Sequence, residues 1–197
     1  SEWMPTDKSR NRKNGLLIIL AGPPGTGKTT VVKRLLAKDR RLWRSVSATT
    51  RSRRKGEKHG RDYLFLSRSE FERRIRKYDF LEWARVLDHL YGTLKEPVDR
   101  IRSKGRDVVL VIDVQGARKV LRRSRAVSIF LKPPSLKELA RRLGNRNTDS
   151  MEEQKSRLVL AKKELVFAKF YDSVVVNHDI GQTVSEIKRL IDKARSH

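Results

Sequence analysis

Four short runs of apolar residues are separated by segments of mixed polarity. The apolar runs lie at 16–20, 108–112, 127–131 and 174–176. Only Ser128 interrupts these runs, and a run of this kind is typical of a β-strand that is buried on both faces, as in a parallel sheet. The segments with a helical pattern lie at 29–38, 115–121, 135–143, 151–170 and 184–194. Buried strands that alternate with helices predict a doubly wound α/β fold with a parallel sheet flanked by helices.

The middle of the chain has a different pattern. Residues 63–66 and 80–84 are short and aromatic, and 91–93 follow closely. Such segments favour a small, mostly antiparallel insertion rather than another strand–helix–strand unit. The arginine-rich stretch beyond 134 predicts a mobile helical lid. We therefore expect a basic, disordered arm at 1–14, a core at 15–45, 96–134 and 166–197, an insertion at 46–95 and a lid at 135–165.

The first predicted strand leads directly into a glycine-rich loop. Residues 22–29 fit the pattern G-x-x-x-x-G-K-[ST]. In this pattern the backbone N–H groups point at phosphate oxygens, and the helix that follows adds the positive end of its dipole. Lys28 reaches the β and γ phosphates, and the Thr29 hydroxyl can bind Mg²⁺. The predicted ATP-binding residues are Gly22, Pro23, Pro24, Gly25, Thr26, Gly27, Lys28, Thr29 and Thr30.

A carboxylate is expected at the end of a neighbouring strand, where it would hold Mg²⁺ through water. Asp113 follows the apolar run 108–112 and is the candidate. Because Asp is also a favoured N-cap, the same residue can instead simply cap the next helix. The sequence leaves both interpretations open.

Basic residues greatly outnumber acidic ones: Lys plus Arg is 47 and Asp plus Glu is 23, which gives a net charge of +24. This excess favours anionic partners, which include nucleotides, nucleic acid and acidic surfaces. No apolar run approaches the roughly 20 residues of a membrane-spanning helix. The chain has no cysteine, which excludes disulfides and thiolate metal sites. We expect a cytoplasmic protein that does not enter a membrane.

Many separated motifs resemble those of guanylate kinases in order and spacing. They are 45–54, Gly56-Glu57, Gly60, Asp62-Tyr63, 81–84, 91–93, 112–116, 133–135, 141–143, Arg146, Thr148-Asp149, Arg157-Leu158 and Tyr171-Asp172. The resemblance extends over roughly 16–191. It implies an enzyme of purine nucleotide metabolism that transfers the γ-phosphoryl group of ATP to GMP or dGMP, with Mg²⁺ as cofactor.

The same resemblance implies a set of residues that bind GMP. These are Ser47, Arg51, Arg54, Tyr63, Glu82, Tyr91, Thr93 and Asp113. Arg51, Arg54 and Tyr63 would hold the GMP phosphate, because guanidinium groups match phosphate oxygens in pairs. Glu82 would accept from N1–H and the 2-amino group of guanine, a donor pair that adenine lacks. The neighbouring Trp83 is expected in the core.

Three arginines, Arg142, Arg146 and Arg157, correspond to family arginines that close over the phosphates. With Lys28 and Arg54 they make up the implied catalytic set. Phosphoryl transfer needs two anionic substrates in line and their charge neutralised. A closing lid meets both needs and also excludes water.

The chain departs from the usual family pattern at a few positions. Val111 stands where the first Asp of an Asp-x-Asp pair is usual, which places both acidic roles on Asp113. Asn147 stands where Gly is common, and Pro24 stands in place of Ser. None of these changes removes a phosphate-binding group.

Three alternatives stay open at this point. They are another small-molecule kinase on the same scaffold, a catalytically silent module that binds phosphopeptides, and nucleic-acid binding. Ser47, Glu82 and Thr93, which read guanine, argue against the first, and the intact Lys28 and Thr29 against the second. The basic residues are spread along the chain without a nucleic-acid motif, so nucleic-acid binding is possible but not expected. The sequence allows a monomer or a small homo-oligomer.

Overall fold

The computed structural model describes residues 14–144 and 150–196. The strands of these residues are β1 (Leu17–Ala21), β2 (Leu42–Arg44), β3 (Ala48–Thr49), β4 (Leu64–Phe65), β5 (Phe80–Val86), β6 (His89–Leu94), β7 (Asp107–Val111), β8 (Val127–Lys132) and β9 (Ser173–Val176). The α-helices are α1 (Lys28–Lys38), α2 (Arg68–Arg76), α3 (Lys95–Arg102), α4 (Val114–Leu121), α5 (Leu136–Gly144), α6 (Met151–Leu165) and α7 (Ile180–Arg195). A 3-10 helix, Val166–Phe170, follows α6.

The main sheet has five parallel strands in the order β2-β7-β1-β8-β9. Every residue of β1 is buried. Because successive side chains of a strand point to opposite faces, Ile18 and Leu20 pack with α1 and α7, whereas Leu17 and Ile19 pack with α3 and α4. Helices therefore cover both faces of the sheet. This confirms the predicted fold class.

A second, smaller sheet is formed by strands in the order β4-β3-β6-β5. Two of its pairings, β3 with β6 and β5 with β6, are antiparallel, and β3 with β4 is parallel. Helix α2 covers this sheet through Phe71, whose ring stacks on Phe80 at 4.4 Å. The small, mostly antiparallel unit is present as predicted. The exact division of the chain at 46–95 and 135–165 stays a prediction.

The structure differs from the sequence prediction at two helix ends. Helix α6 ends at Leu165 and gives way to the 3-10 turn, where a continuous helix to 170 was expected. Helix α7 begins at Ile180, earlier than expected, because Asp179 caps it by accepting from the Gln182 N–H at 2.8 Å. Across the described ranges, no helix is long and apolar enough to span a bilayer.

The expectation of a buried Trp83 was wrong. In β5 the buried positions alternate, and they take Glu82 and Ala84 rather than the tryptophan between them. Trp83 lies on the outer face, where the Lys119 ammonium lies 4.7 Å from its ring centroid. The aromatic side chain is therefore covered by a cation instead of by the core.

Candidate active site

The glycine-rich loop joins β1 to α1 at the carboxyl edge of the main sheet. Gly27 is the N-cap of α1 and has a left-handed φ of 91°, a backbone shape that glycine adopts without strain. A Cβ on Gly22 would lie 2.3 Å from the Leu131 carbonyl oxygen of β8. The Lys28 Nζ donates to the carbonyl oxygens of Gly22 at 2.6 Å and Pro23 at 2.8 Å. The lysine side chain thus lies across the loop that is predicted to bind phosphate.

A buried asparagine supports this loop from behind. The Asn177 Nδ2 donates to the Thr26 carbonyl oxygen at 2.8 Å, and the Thr183 hydroxyl donates to Asn177 Oδ1 at 2.9 Å. All three side chains are buried. The sequence analysis gave no role to Asn177, which directly follows the apolar run 174–176. Its position directly after this run, at the edge that carries the loop, was the available signal. The run lies in β9, in which Val175 alone is buried, so the expectation of burial on both faces was wrong there.

The predicted base-binding end of the second pocket is formed by the small sheet. Glu82 on β5 is 5% exposed, and Thr93 on β6 donates from its hydroxyl to Glu82 Oε1 at 2.7 Å. Burial raises the pKa of Glu82 to about 7; the bond from Thr93 and the Lys119 ammonium oppose this rise, and the Asp113 carboxylate adds to it. Ser47 is buried and lines the same pocket. The carboxylate is therefore an acceptor held in place from one side.

The phosphate end of this pocket carries the predicted arginines. Arg51 makes a two-bond ion pair with Glu57, at 2.8 and 3.1 Å. Its guanidinium carbon also lies 5.4 Å from the Tyr63 ring centroid, and Tyr63 meets Tyr91 edge-on at 6.1 Å. The Arg54 N–H donates to Glu57 Oε2 at 2.8 Å. Glu57 therefore fixes this segment and occupies the guanidinium fork that an incoming phosphate would need.

Asp113 has the capping role that the sequence left open, and its role toward Mg²⁺ stays a prediction. Its Oδ1 accepts from the Gly116 N–H at 2.9 Å and so caps α4. Its Oδ2 is buried and has no hydrogen-bond partner within the described residues. Burial raises the pKa of Asp113, and backbone N–H groups of α4 oppose that rise. One oxygen thus serves the helix, and the other is free for a ligand.

The predicted lid arginines are placed differently from one another. Arg157 on α6 lines the cavity. Arg142 on α5 does not line it: its Nε donates to Glu138 at 2.8 Å, and its Nη2 donates to the Asn177 carbonyl oxygen at 3.3 Å. Arg146 lies outside the described residues.

A buried carboxylate on the same helix was missed by the sequence analysis. Glu164 is seven residues beyond Arg157 on α6, so both lie on one face of the helix. It lines the cavity, is 5% exposed, and its Oε2 has no partner among the described residues. Burial raises its pKa to about 7, against the effect of Lys28 and with that of Asp113. The spacing from Arg157 was the signal that would have found it.

One cavity brings both predicted nucleotide sites together. The predicted residues that line it are Gly22, Pro24, Gly25, Gly27, Lys28, Thr29, Thr30, Ser47, Arg51, Arg54, Tyr63, Glu82, Tyr91, Asp113 and Arg157. Pro23, Thr26 and Thr93 do not line it, and Thr93 acts through its bond to Glu82. The phosphate loop and the buried carboxylate therefore open into the same space.

The residues at the loop end fit a hydrated magnesium ion. Thr29 and Asp113 both line the cavity, and Asp113 offers a buried oxygen without a partner in the described ranges. No group of three or more His, Cys, Asp or Glu suited to a metal occurs among the described residues. A hydroxyl and one carboxylate fit Mg²⁺, since that ion keeps several waters and binds through one or two protein groups and substrate phosphates.

A phosphate loop at the edge of a doubly wound parallel sheet, opening into a cavity shared with a smaller sheet, is typical of the class of P-loop nucleotide kinases. The family model described as guanylate kinase matches residues 14–194. The guanylate kinase of Caldanaerobacter subterraneus subsp. tengcongensis is 46% identical and covers 91% of this chain and 88% of its own. The guanylate kinase of Parasynechococcus marenigrum is 44% identical, and the match covers 90% of this chain and 98% of that protein.

A solved structure shows the same likeness in three dimensions. The crystal structure of guanylate kinase from Anaplasma phagocytophilum is 35% identical, with a TM-score of 0.78, and covers 92% of this chain and 87% of its own. The chain therefore belongs to the guanylate kinase family. The predicted family, fold class and type of enzyme, a nucleoside monophosphate kinase, are confirmed.

Proposed function

We propose that this guanylate kinase binds Mg²⁺-ATP on the loop at 22–29 and GMP in the pocket around Glu82, and forms ADP and GDP between them. The observation that carries the assignment of the two sites is the single cavity that Lys28 and Glu82 both line. A donor phosphate and an acceptor phosphate bound in one cavity can be aligned for direct transfer.

At the donor end, the backbone of the loop provides most of the binding. Its N–H groups and the N-terminus of α1 face the phosphates. Lys28 exchanges its bonds to the loop carbonyl oxygens for bonds to the β and γ phosphates. When bound, Mg²⁺ neutralises charge on the β and γ oxygens. Thr29 and Asp113, which both line the cavity, would hold the ion, Asp113 through water.

At the acceptor end, side chains provide the binding. Arg51, Arg54 and Tyr63 hold the GMP phosphate, and Arg51 leaves Glu57 at least in part to do so. Glu82 accepts from the two donors of guanine. Thr93 supports that carboxylate from behind. Ser47 supplies a hydroxyl to the O6 and N7 side of the base. Adenine lacks this donor pair and would leave the buried carboxylate with no donor from the base, which is costly.

The lid completes the site when it closes. Arg157 already lines the cavity, whereas Arg142 reaches the phosphates only after leaving Glu138. Arg142, Arg146 and Arg157 then neutralise the charge that spreads over the transferred group and exclude water from it. We place the protein in the cytoplasm.

The test is ADP formation from Mg²⁺-ATP with GMP, AMP, CMP and UMP in turn. We expect turnover with GMP far above that with the other three. Glu82→Gln should lower kcat/KM for GMP about 100-fold, because the base loses a charged acceptor. Glu186→Gln is the matched control, since Glu186 is exposed on α7 away from the cavity. Comparable turnover with AMP, or an unimpaired Glu82→Gln enzyme, would contradict the assignment.

A further inference from the structure

Gly116 occupies the first turn of α4, where a glycine needs an explanation. It is the third residue of the helix, and glycine inside a helix is less favourable than alanine. Its φ is not among the positive values found at other glycines of the described chain. Backbone conformation therefore does not require glycine here, and the reason lies in the space around it.

That space is occupied by the carboxylate that reads the base. A Cβ on Gly116 would lie 2.5 Å from Glu82 Oε2 and 3.0 Å from Glu82 Cδ. Both distances are far shorter than ordinary contacts between carbon and oxygen or carbon. Glu82 has little freedom to withdraw, because it is buried and Thr93 holds its other oxygen at 2.7 Å. The first turn of α4 and the Glu82 carboxylate are packed directly against each other.

The same glycine also contacts the second acidic residue of the cavity. Its N–H donates to Asp113 Oδ1 at 2.9 Å, and a Cβ would lie 3.1 Å from that oxygen. Asp113 tolerates this closeness in principle, since Asp179 caps α7 in the same way, by accepting from the N–H of Gln182, which carries a side chain. The severe conflict is with Glu82 alone.

We propose that Gly116 is a positioning residue for guanine recognition: the absence of a side chain lets the Glu82 carboxylate lie against α4 at the place where it meets the base. This inference rests on the proposed role of Glu82. An alanine at 116 displaces the carboxylate from its position beside Thr93 and leaves the phosphate loop unchanged. The cost therefore falls on GMP and not on ATP.

The experiment compares Gly116→Ala with Gly181→Ala. Gly181 is an equally strict control, because it also lies in the first turn of a helix and its Cβ would lie 3.1 Å from the capping Asp179. We expect Gly116→Ala to raise the KM and the calorimetric Kd for GMP at least tenfold and to leave the KM for ATP within about twofold. Gly181→Ala should change neither. Thermal unfolding of both variants shows whether each is folded.

A second variant separates displacement of Glu82 from general damage. Glu82→Asp shortens the carboxylate by one methylene and makes room for the alanine. The Glu82→Asp substitution should therefore cost less activity with GMP when it is made in the Gly116→Ala protein than when it is made in the protein with Gly116. If the losses caused by Gly116→Ala and Glu82→Asp simply multiply in the double variant, the inference is overturned. An unchanged Kd for GMP in Gly116→Ala, or an equal rise in its KM for ATP, would also overturn it.

The two proposals fail in different ways. If Glu82→Gln leaves GMP use unchanged, the proposed role of Glu82 is wrong and this inference falls with it. If Glu82→Gln impairs GMP use and Gly116→Ala does not, only the role of Gly116 is wrong.

Discussion

The proposed donor and acceptor halves of the cavity are built in different ways. The donor half is one continuous loop at 22–29, whose shape comes from glycines and whose contacts come largely from the backbone. The proposed acceptor half takes single side chains from β5, β6 and the segment 47–63, and it buries the Glu82 carboxylate at a desolvation cost. The geometry of a site made from backbone groups is determined by the local sequence. The geometry of a site made from separate side chains is determined by how the whole chain folds.

The largest effect that this comparison predicts is at Lys28. Lys28→Ala should lower kcat about 10³-fold, because it removes the charged side chain that the loop directs to the transferred phosphate. Calorimetry should show GMP binding within about twofold of normal, since Lys28 belongs to the donor half. Lys33→Ala, on the exposed face of the same helix, is the control.

Loss of GMP affinity in Lys28→Ala would show that the two halves do not bind independently. Equal activity of Lys28→Ala and Lys33→Ala would remove the loop from the mechanism. Steady-state rates and calorimetry together distinguish these results.

The sequence predicted the donor half from the residues themselves and the acceptor half only through resemblance. The loop motif follows an apolar strand and begins a helix, so pattern and context agree locally. Nothing local marks Glu82 as a functional residue, because its burial depends on which face of β5 points inward. The same ambiguity produced the wrong expectation for Trp83.

The residues that the sequence analysis missed act through packing. Asn177 and Thr26 are 151 positions apart, and their hydrogen bond appears only once β9 lies beside β8. Gly116 matters only because β5 lies against α4. Helix α2 was also missed, since among its mostly charged residues Phe71 alone is buried. Long-range contacts of this kind leave no periodic signal in one sequence.

A medium effect should appear when pH is lowered. The pKa of Glu82 is raised to about 7 by burial, with Asp113 adding and Thr93 and Lys119 opposing. Guanine donors require the ionised carboxylate, which is lost as pH falls through this value. The Kd for GMP should therefore rise, approaching tenfold per pH unit below 7. Calorimetric titrations at pH 8, 7 and 6 measure it.

The phosphate of GMP itself titrates near pH 6, so a control is needed. In Glu82→Gln the GMP phosphate still titrates, but the carboxylate is absent. The difference between the pH profiles of the two proteins for the Kd of GMP therefore gives the contribution of Glu82. If both proteins show the same pH profile, Glu82 does not govern binding in this range. ATP binding should lack the Glu82 contribution in both.

The smallest effect tests whether the loop is as self-sufficient as its motif suggests. Asn177→Ala removes the buried donor to the Thr26 carbonyl oxygen and leaves the Thr183 hydroxyl without its acceptor. A lost buried hydrogen bond of about 1 kcal/mol predicts a rise of roughly fivefold in the KM for ATP. The backbone oxygen that receives Arg142 stays in place, so the lid contact is retained. Thr183→Val should have a smaller effect on the KM for ATP, since it removes the donor to Asn177 Oδ1 and leaves the bond from Asn177 to the Thr26 carbonyl oxygen in place. An unchanged KM for ATP would mean that the loop keeps its shape without support, and a matching rise in the Kd for GMP would mean that the two halves are coupled through the sheet.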